Sequence, residues 1–411
     1  MNTIIVVFMI LFCFFSCGAN EKVTKADDQG ASIEGSAAII HANNEFAFDL
    51  YSKLSEENHD KNIFYSPYSI LIALTMTYEG AEGKTAEEMQ SVLRIPEDAS
   101  IRRPNFARIY NAINEEGKAY ELSTANALWA QRDLTFLEEY TDNIEKYYGG
   151  KITNCDFAGA AEKERQTINA WIADHTNQKI KDLIPPGAVG EATRLVLTNA
   201  IYFKGTWVVQ FDANETLEED FQTGAGATVK VPMMRRVDPE ARFKYVETDE
   251  LQVLELPYEG DDLAMFILLP KENDLSMIEG LITADALLAW QDMLREQKVN
   301  IFIPKFKFTS KYFMVKTLND MGMPAPFSSS ADFSGMTGAK DLFISNVIHQ
   351  AFVEVNEEGT EAAAATGVIM EITSVGPPIP VFRADHPFIF IIQEIETGNI
   401  LFLGRVCNPS E

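Results

Sequence analysis

IHQAFVEVNEEGTEAAAATGVIMEITSVGPPIP, residues 348–380, is the stretch on which the reading of this chain turns. By composition, Gly359–Gly367 is a small-residue linker. The alternation says more. Thr360, Ala362, Ala364, Thr366, Val368, Met370 and Ile372 form one period-two set, and every member is small or apolar. The opposite set is Glu361, Ala363, Ala365, Gly367, Ile369, Glu371 and Thr373, and it holds the only two charges of the segment. That is a strand pattern with one face ready for burial. A permanent surface loop needs no such face, whereas a loop that later becomes a central strand does. The residues that follow, Val375–Pro380, carry three prolines and are stiff and extended.

The rest of the chain is an ordinary globular sequence with an unusual charge. Of its 411 residues, 46% are hydrophobic and 23% charged, the balance of a chain that buries a core. Thirty-four Lys and Arg face 61 Asp and Glu, a net charge of −27. Phosphate backbones and acidic membranes repel such a surface, so no nucleic-acid partner is expected. The bland meaning of the charge is solubility. The four cysteines (Cys13, Cys17, Cys155 and Cys407) form no CxxC pair, so no zinc or thioredoxin-like site is suggested. Cys155 and Cys407 read as two separate thiols.

Ile4–Phe15 is an unbroken apolar run, short for a membrane span and right for the core of a signal peptide. Its n-region lacks Lys or Arg, but small residues follow at Ser16, Cys17 and Gly18. Phe-Phe-Ser-Cys17-Gly is similar to a bacterial lipoprotein processing site, with Cys17 as the candidate for lipid attachment, although Phe14 and Phe15 depart from the usual pattern. Residues 1–17 are thus expected to be a signal peptide, 18–36 a polar linker and 37–411 the folded body, with export to the cell surface or medium.

Within the body, helical periodicity marks Ala37–Ser55, Pro67–Tyr78, Ala86–Leu93, 134–147 and 162–179. Thr85 is the expected N-cap of the third, with Glu88 as its capping-box partner. Arg194–Phe203, Leu263–Leu269 and Val299–Phe308 read as strands buried on both faces. Phe388–Gln393 and Ile400–Arg405 read as a hairpin. Helices concentrate early and strands late, which predicts an α+β fold.

Enzyme motifs fail one by one. Gly80-Ala-Glu-Gly-Lys-Thr85 has two residues between its glycines where a phosphate loop needs four; it reads as a helix-to-helix turn. HExxH, GxSxG and GxGxxG are absent. Asp385 and His386 lie near Ser374, but neighbours on a strand point to opposite faces, so Asp385 is not expected to orient His386 in a triad. No catalytic residue, metal site or cofactor is expected.

Several ordered segments together resemble the serpin family. They include Asn62-Ile-Phe-Tyr-Ser-Pro-Tyr-Ser-Ile70, Gly80–Glu88, Ala125–Gln131, Ile168-Asn-Ala-Trp171 and Leu197-Thr-Asn-Ala-Ile-Tyr-Phe-Lys-Gly-Thr-Trp207. Val231-Pro-Met-Met234, Leu256-Pro-Tyr258, Ile348–Thr366, Asp385-His-Pro-Phe388 and Phe402-Leu-Gly-Arg-Val406 continue the series. The resemblance implies one domain with three β-sheets, eight or nine helices and an exposed reactive-centre loop. It implies that Ser66, Ser69, Asn199 and His349 form a polar cluster under the opening of the main sheet. Alone, His349 would read as a satisfied core histidine. The resemblance also puts Trp207 where the loop first enters the sheet. The hinge becomes Glu357, Gly359, Thr360, Glu361, Ala362, Ala363, Ala364, Ala365 and Thr366. Counting seventeen residues from Glu357 puts the cut bond at Thr373–Ser374, with Ile372–Thr373 and Ser374–Val375 as the neighbouring choices.

The function so implied is inhibition of a serine protease as a suicide substrate. Thr373 is small, β-branched and uncharged, which suits an elastase-like pocket better than a trypsin-like one. The alternative is a serpin-fold carrier, chaperone or surface protein that inhibits nothing. The small hinge residues speak against it, since bulky or charged side chains there would resist insertion. Arg102–Arg103 is too small a basic cluster for a heparin-type cofactor. Asn214-Glu-Thr216 is a sequon if the host glycosylates exported proteins.

Overall fold

The computed structural model describes residues 25–238, 242–360 and 379–411. In chain order its helices are α1 (Ile33–Glu57), α2 (Pro67–Tyr78), α3 (Gly83–Leu93), α4 (Ala99–Ile113), α5 (Glu138–Tyr148), α6 (Phe157–His175), α7 (Ser276–Glu279), α8 (Ala284–Met293), α9 (Val315–Asp320) and α10 (Ser334–Thr337). Its strands are β1 (Ile63–Tyr65), β2 (Glu121–Gln131), β3 (Lys151–Cys155), β4 (Leu195–Thr206), β5 (Leu217–Gln222), β6 (Thr228–Arg236), β7 (Arg242–Glu247), β8 (Leu251–Pro257) and β9 (Leu263–Pro270). They continue as β10 (Arg295–Lys298), β11 (Asn300–Pro304), β12 (Phe306–Phe313), β13 (Ile344–Val355), β14 (Gly359–Thr360), β15 (Val381–Arg383), β16 (Phe388–Glu394) and β17 (Ile400–Val406). The described residues thus hold ten α-helices where eight or nine were expected. Two of the ten, α7 and α10, are four-residue turns.

The strands form three sheets. A seven-stranded sheet runs β1-β17-β16-β9-β8-β7-β10, a four-stranded one β15-β11-β6-β5, and a six-stranded one β12-β13-β14-β4-β2-β3. The six-stranded sheet is covered on both faces, and β4 shows how its sequence does this. Leu195, Leu197, Ile201 and Phe203 join the main core shared with the seven-stranded sheet. Val196 and Ala200 alternate with them and pack with Ile168 and Ile172 of α6 in a second core. Burial on both faces is why this strand reads as a continuous apolar run.

Local chemistry explains where the boundaries differ from expectation. The polar stretch is ordered into the body well before residue 36. Ala26 is buried and exchanges hydrogen bonds with the Asn111 amide, and Ser32 caps α1 by accepting from the Gly35 amide. In α3, Thr85 and Glu88 make no capping box. The helix starts earlier, at Gly83. The Thr85 hydroxyl accepts from the Asp332 amide, and the Glu88 carboxylate accepts from the Ala325 amide. The apolar run at 299–308 is two strands in two sheets, β11 and β12, separated at Lys305 just after Pro304. The helix expected at 134–147 begins at Glu138, and that expected at 162–179 spans Phe157–His175. Helix α4, with Pro104 inside it, escaped the periodicity reading.

Candidate functional site

The two longest neighbours in the six-stranded sheet, β4 and β13, are joined along one part of their length and separated along the other. From Ile344–Leu195 to Phe352–Tyr202 they pair directly and in parallel. Beyond that the chain turns back at Asn356–Glu358 and enters between them as β14. Thr360 lies opposite Val355 on one side and Gly205 on the other, antiparallel to both. Two glycines make the slot. A Cβ on Gly359 would collide with the Gly205 carbonyl oxygen. A Cβ on Gly205 would come within 2.7 Å of the Tyr258 ring.

The turn into the slot is held on all sides. The Trp207 indole donates to the Asn356 carbonyl (3.1 Å) and its amide donates to the Glu358 carbonyl (2.8 Å). The Phe211 amide donates to the Glu357 carbonyl at 2.8 Å. The Glu357 carboxylate accepts from the Thr216 hydroxyl (2.7 Å) and pairs with the Lys305 ammonium (2.7 Å). Burial pushes this carboxyl up, but the bonds from Lys305 and Thr216 outweigh it and hold the group below its usual range. Thr360 is 1% exposed, and its hydroxyl meets the Tyr258 hydroxyl at 2.8 Å.

Further down, Ser66, Ser69, Asn199 and His349 come together. Asn126, Asn199, His349 and Tyr312 form one row across β2, β4, β13 and β12. The Asn199 amide nitrogen donates to Ser69 O, Ser69 Oγ and Asn126 Oδ1 at 2.6–2.7 Å, and its oxygen accepts from His349 Nδ1. His349 Nε2 accepts from the Ser66 amide at 3.2 Å. This network assigns the imidazole proton to Nδ1. Full burial pushes the imidazole pKa down to about 3, so the ring is neutral. The Ser66 hydroxyl caps α2 by accepting from the Ser69 amide, so the start of α2 and the β4–β13 seam share one network.

Of the residues singled out from sequence, Ser66, Ser69, Asn199, His349, Trp207, Glu357, Gly359 and Thr360 therefore sit at two places along one seam. Glu361, Ala362, Ala363, Ala364, Ala365, Thr366, Thr373, Ser374 and Cys17 lie outside the described residues. Sequence reading missed Asn126, Lys305, Thr216 and Tyr258. Asn126 and Tyr258 stand inside segments that carried the family resemblance. Thr216 stands out in the sequence only as part of a sequon, and Lys305 has no local signal.

Other expectations are settled nearby. Asp385 does bond His386, with Oδ1 2.8 Å from Nδ1. The reasoning from strand geometry failed because both residues lie in the connection between β15 and β16. The other ring nitrogen of His386 meets the Pro270 carbonyl at 2.9 Å. Cys155 and Cys407 are both buried and unpaired. Arg102 and Arg103 are no surface patch, since both bind the buried Glu79 carboxylate at 2.8 Å.

Three sheets and their helices make a single α+β domain of serpin architecture. The serpin (serine protease inhibitor) family model matches residues 41–409, and the chain belongs to that family. It is 43% identical over 376 residues to a serpin-like protein of Thermococcus kodakarensis, covering 91% of this chain and 86% of the other. It is 40% identical over 390 residues to human Serpin B3, covering 90% of this chain and 100% of the other. The solved structure of human thyroxine-binding globulin with thyroxine superposes at a TM-score of 0.83 with 31% identity, over 92% of this chain and 100% of that one.

Proposed function

We propose that this serpin inhibits a serine protease as a suicide substrate. The observation that carries the reading is β14: two hinge residues already stand as a central strand between β4 and β13, and at Gly359 the slot has no room for a Cβ. In the reaction, the protease serine attacks the Thr373 carbonyl carbon. The Thr373–Ser374 bond breaks, Ser374 leaves as an amine that takes up a proton, and Thr373 stays esterified to the protease. The freed end follows β14 into the sheet and carries the protease with it before water can cleave the ester.

The register of β14 supports this path. Continued downward, it brings Ala362 between Phe203 and Val353, and Ala364 between Ile201 and Ala351. These four neighbours are buried, so small residues are what such positions accept. The same register brings Thr366 between Asn199 and His349. There its hydroxyl can both donate and accept, and so can replace the bond those two side chains now share.

Thr373 makes the target elastase-like, and the N-terminal segment makes the protein exported, with Cys17 as the lipid anchor where one is used. The second reading, a serpin-fold carrier, draws on the likeness to thyroxine-binding globulin. Thr360 in its slot favours inhibition. Incubation with an elastase-like and a trypsin-like protease, followed by denaturing electrophoresis, tests the choice. A covalent band with the elastase-like enzyme is expected. Cleavage of the loop by that enzyme without any such band would leave the carrier reading standing.

A further inference from the structure

The Tyr258 side chain takes no part in the steps above, yet it is built into the hinge with unusual care. It is fully buried. Its ring stacks on Trp207 at 4.5 Å and meets Phe203 edge-on at 5.1 Å. It lies flush against Gly205, where any Cβ would push it away. Its backbone is fixed by a bridge to Trp207 and by donation to the Leu263 carbonyl. Packing thus leaves the ring one position and aims the hydroxyl at one place. Among the described residues, its hydrogen-bond partner there is Thr360 Oγ1, at 2.8 Å.

We propose that Tyr258 is a positioning residue: its hydroxyl latches Thr360 in the slot and thereby sets how often the hinge stands inside the sheet before any protease arrives. The inference rests on the strand-insertion reading above. If Thr360 leaves, a buried phenol loses this hydrogen bond, and an unpaired buried hydroxyl is unfavourable. The hinge is therefore biased inward. Because the fully inserted strand keeps the same register, the latch acts on the first step and leaves the final state alone. Its strength decides how long the slot is free for any other strand.

A synthetic peptide with the sequence of residues 360–373 tests this without any protease. It competes for the slot, and its annealing is followed by the rise in thermal stability of the complex. Tyr258→Phe keeps the ring and its stacking but removes the hydroxyl, and is expected to anneal the peptide about five- to tenfold faster, the scale of one lost hydrogen bond. Thr360→Val breaks the same bond from the other side, so the result stands even if the Tyr258 variant folds poorly. Thr360→Ser restores the hydroxyl and is expected to anneal at the unmodified rate. The double variant Tyr258→Phe, Thr360→Val is expected to match either single one. Equal rates in the unmodified protein and both single variants, or additive effects in the double, would overturn the latch. Failure of the unmodified protein to anneal any peptide would instead overturn strand insertion itself.

Discussion

The upper and lower parts of the β4–β13 seam are made of the same two strands and behave as opposites. Below, from Leu195 to Tyr202, the strands pair with each other and the row Asn126–Asn199–His349–Tyr312 crosses them. Above, Gly205 and Thr206 pair with Gly359 and Thr360 instead. The difference lies in side-chain size and polarity. Glycines face the slot above, while below a polar network ties the seam to the start of α2. The lower seam is closed; in the mechanism proposed above, a strand entering there would break one ladder of backbone bonds and make two. In the upper seam β14 already stands between the two strands.

The contrast breaks most completely at Thr360. Thr360→Arg puts a long cation into a site with 1% exposure, and burying an unpaired ion costs at least several kcal/mol. The variant is expected to be cut as a plain substrate, with the stoichiometry of inhibition raised by about tenfold or more, a factor worth only about 1.4 kcal/mol. Inhibition at unchanged stoichiometry would mean that the upper slot is not on the path.

The lower seam is probed by pH. His349 is neutral in the folded protein because burial holds its pKa near about 3, while the unfolded chain takes up the proton near pH 6.5. Between those values the unfolded state binds more protons. This contribution is therefore fully present above about pH 6.5 and is lost as pH falls toward 3, the loss amounting to about 2 kcal/mol by pH 5. Unfolding by denaturant at about pH 7 and pH 5 is expected to show a weaker pH dependence in His349→Gln, by roughly that amount. Identical slopes in the two proteins would show that the ring is not held neutral.

A smaller effect sharpens the picture of the row. Asn126 accepts from both Asn199 and Ser69. Asn126→Ala is expected to destabilise the intact protein by about 1 kcal/mol, a net hydrogen-bond contribution, and to lower its melting midpoint by roughly 1 °C, the shift expected for a domain of this size. A wild-type midpoint would assign the seam's strength to the backbone pairing alone.

How far the sequence disclosed this depended on where the information is stored. Strands buried on both faces, such as β4 and β9, declare themselves because apolar residues stand on both faces of the strand. The alternation after Thr360 lies outside the described residues, while Thr360 itself stands buried in β14. The division of 299–308 into β11 and β12 was not legible, because the change of sheet at Lys305 lies inside a run that looks uniformly buried. The polar cluster needed the family resemblance, since Ser66, Asn199 and His349 are far apart in the chain and only strand register joins them. Lys305 and Thr216 were invisible because a partner for Glu357 can come from any loop that folds over the hinge. Tyr258 stood in a motif, but its meaning depends on Gly205 and Trp207 letting the ring lie flat beneath the slot.

The central claim is that the closed lower seam is a less stable arrangement than the same seam with a strand inserted. Insertion would bury Val368, Met370 and Ile372, each contributing about 1.5–3 kcal/mol on full burial before ordering costs, and would add ladder bonds of about 0.5–1.5 kcal/mol each. An ordinary protein nicked in a loop gains flexibility and no stability. The direct measurement is a thermal melt before and after limited cleavage near Thr373, with mass spectrometry of the released end to fix the bond. The midpoint is expected to rise clearly after cleavage, because the added terms are large beside a typical domain stability of about 5–15 kcal/mol. A midpoint that stayed the same or fell would contradict insertion.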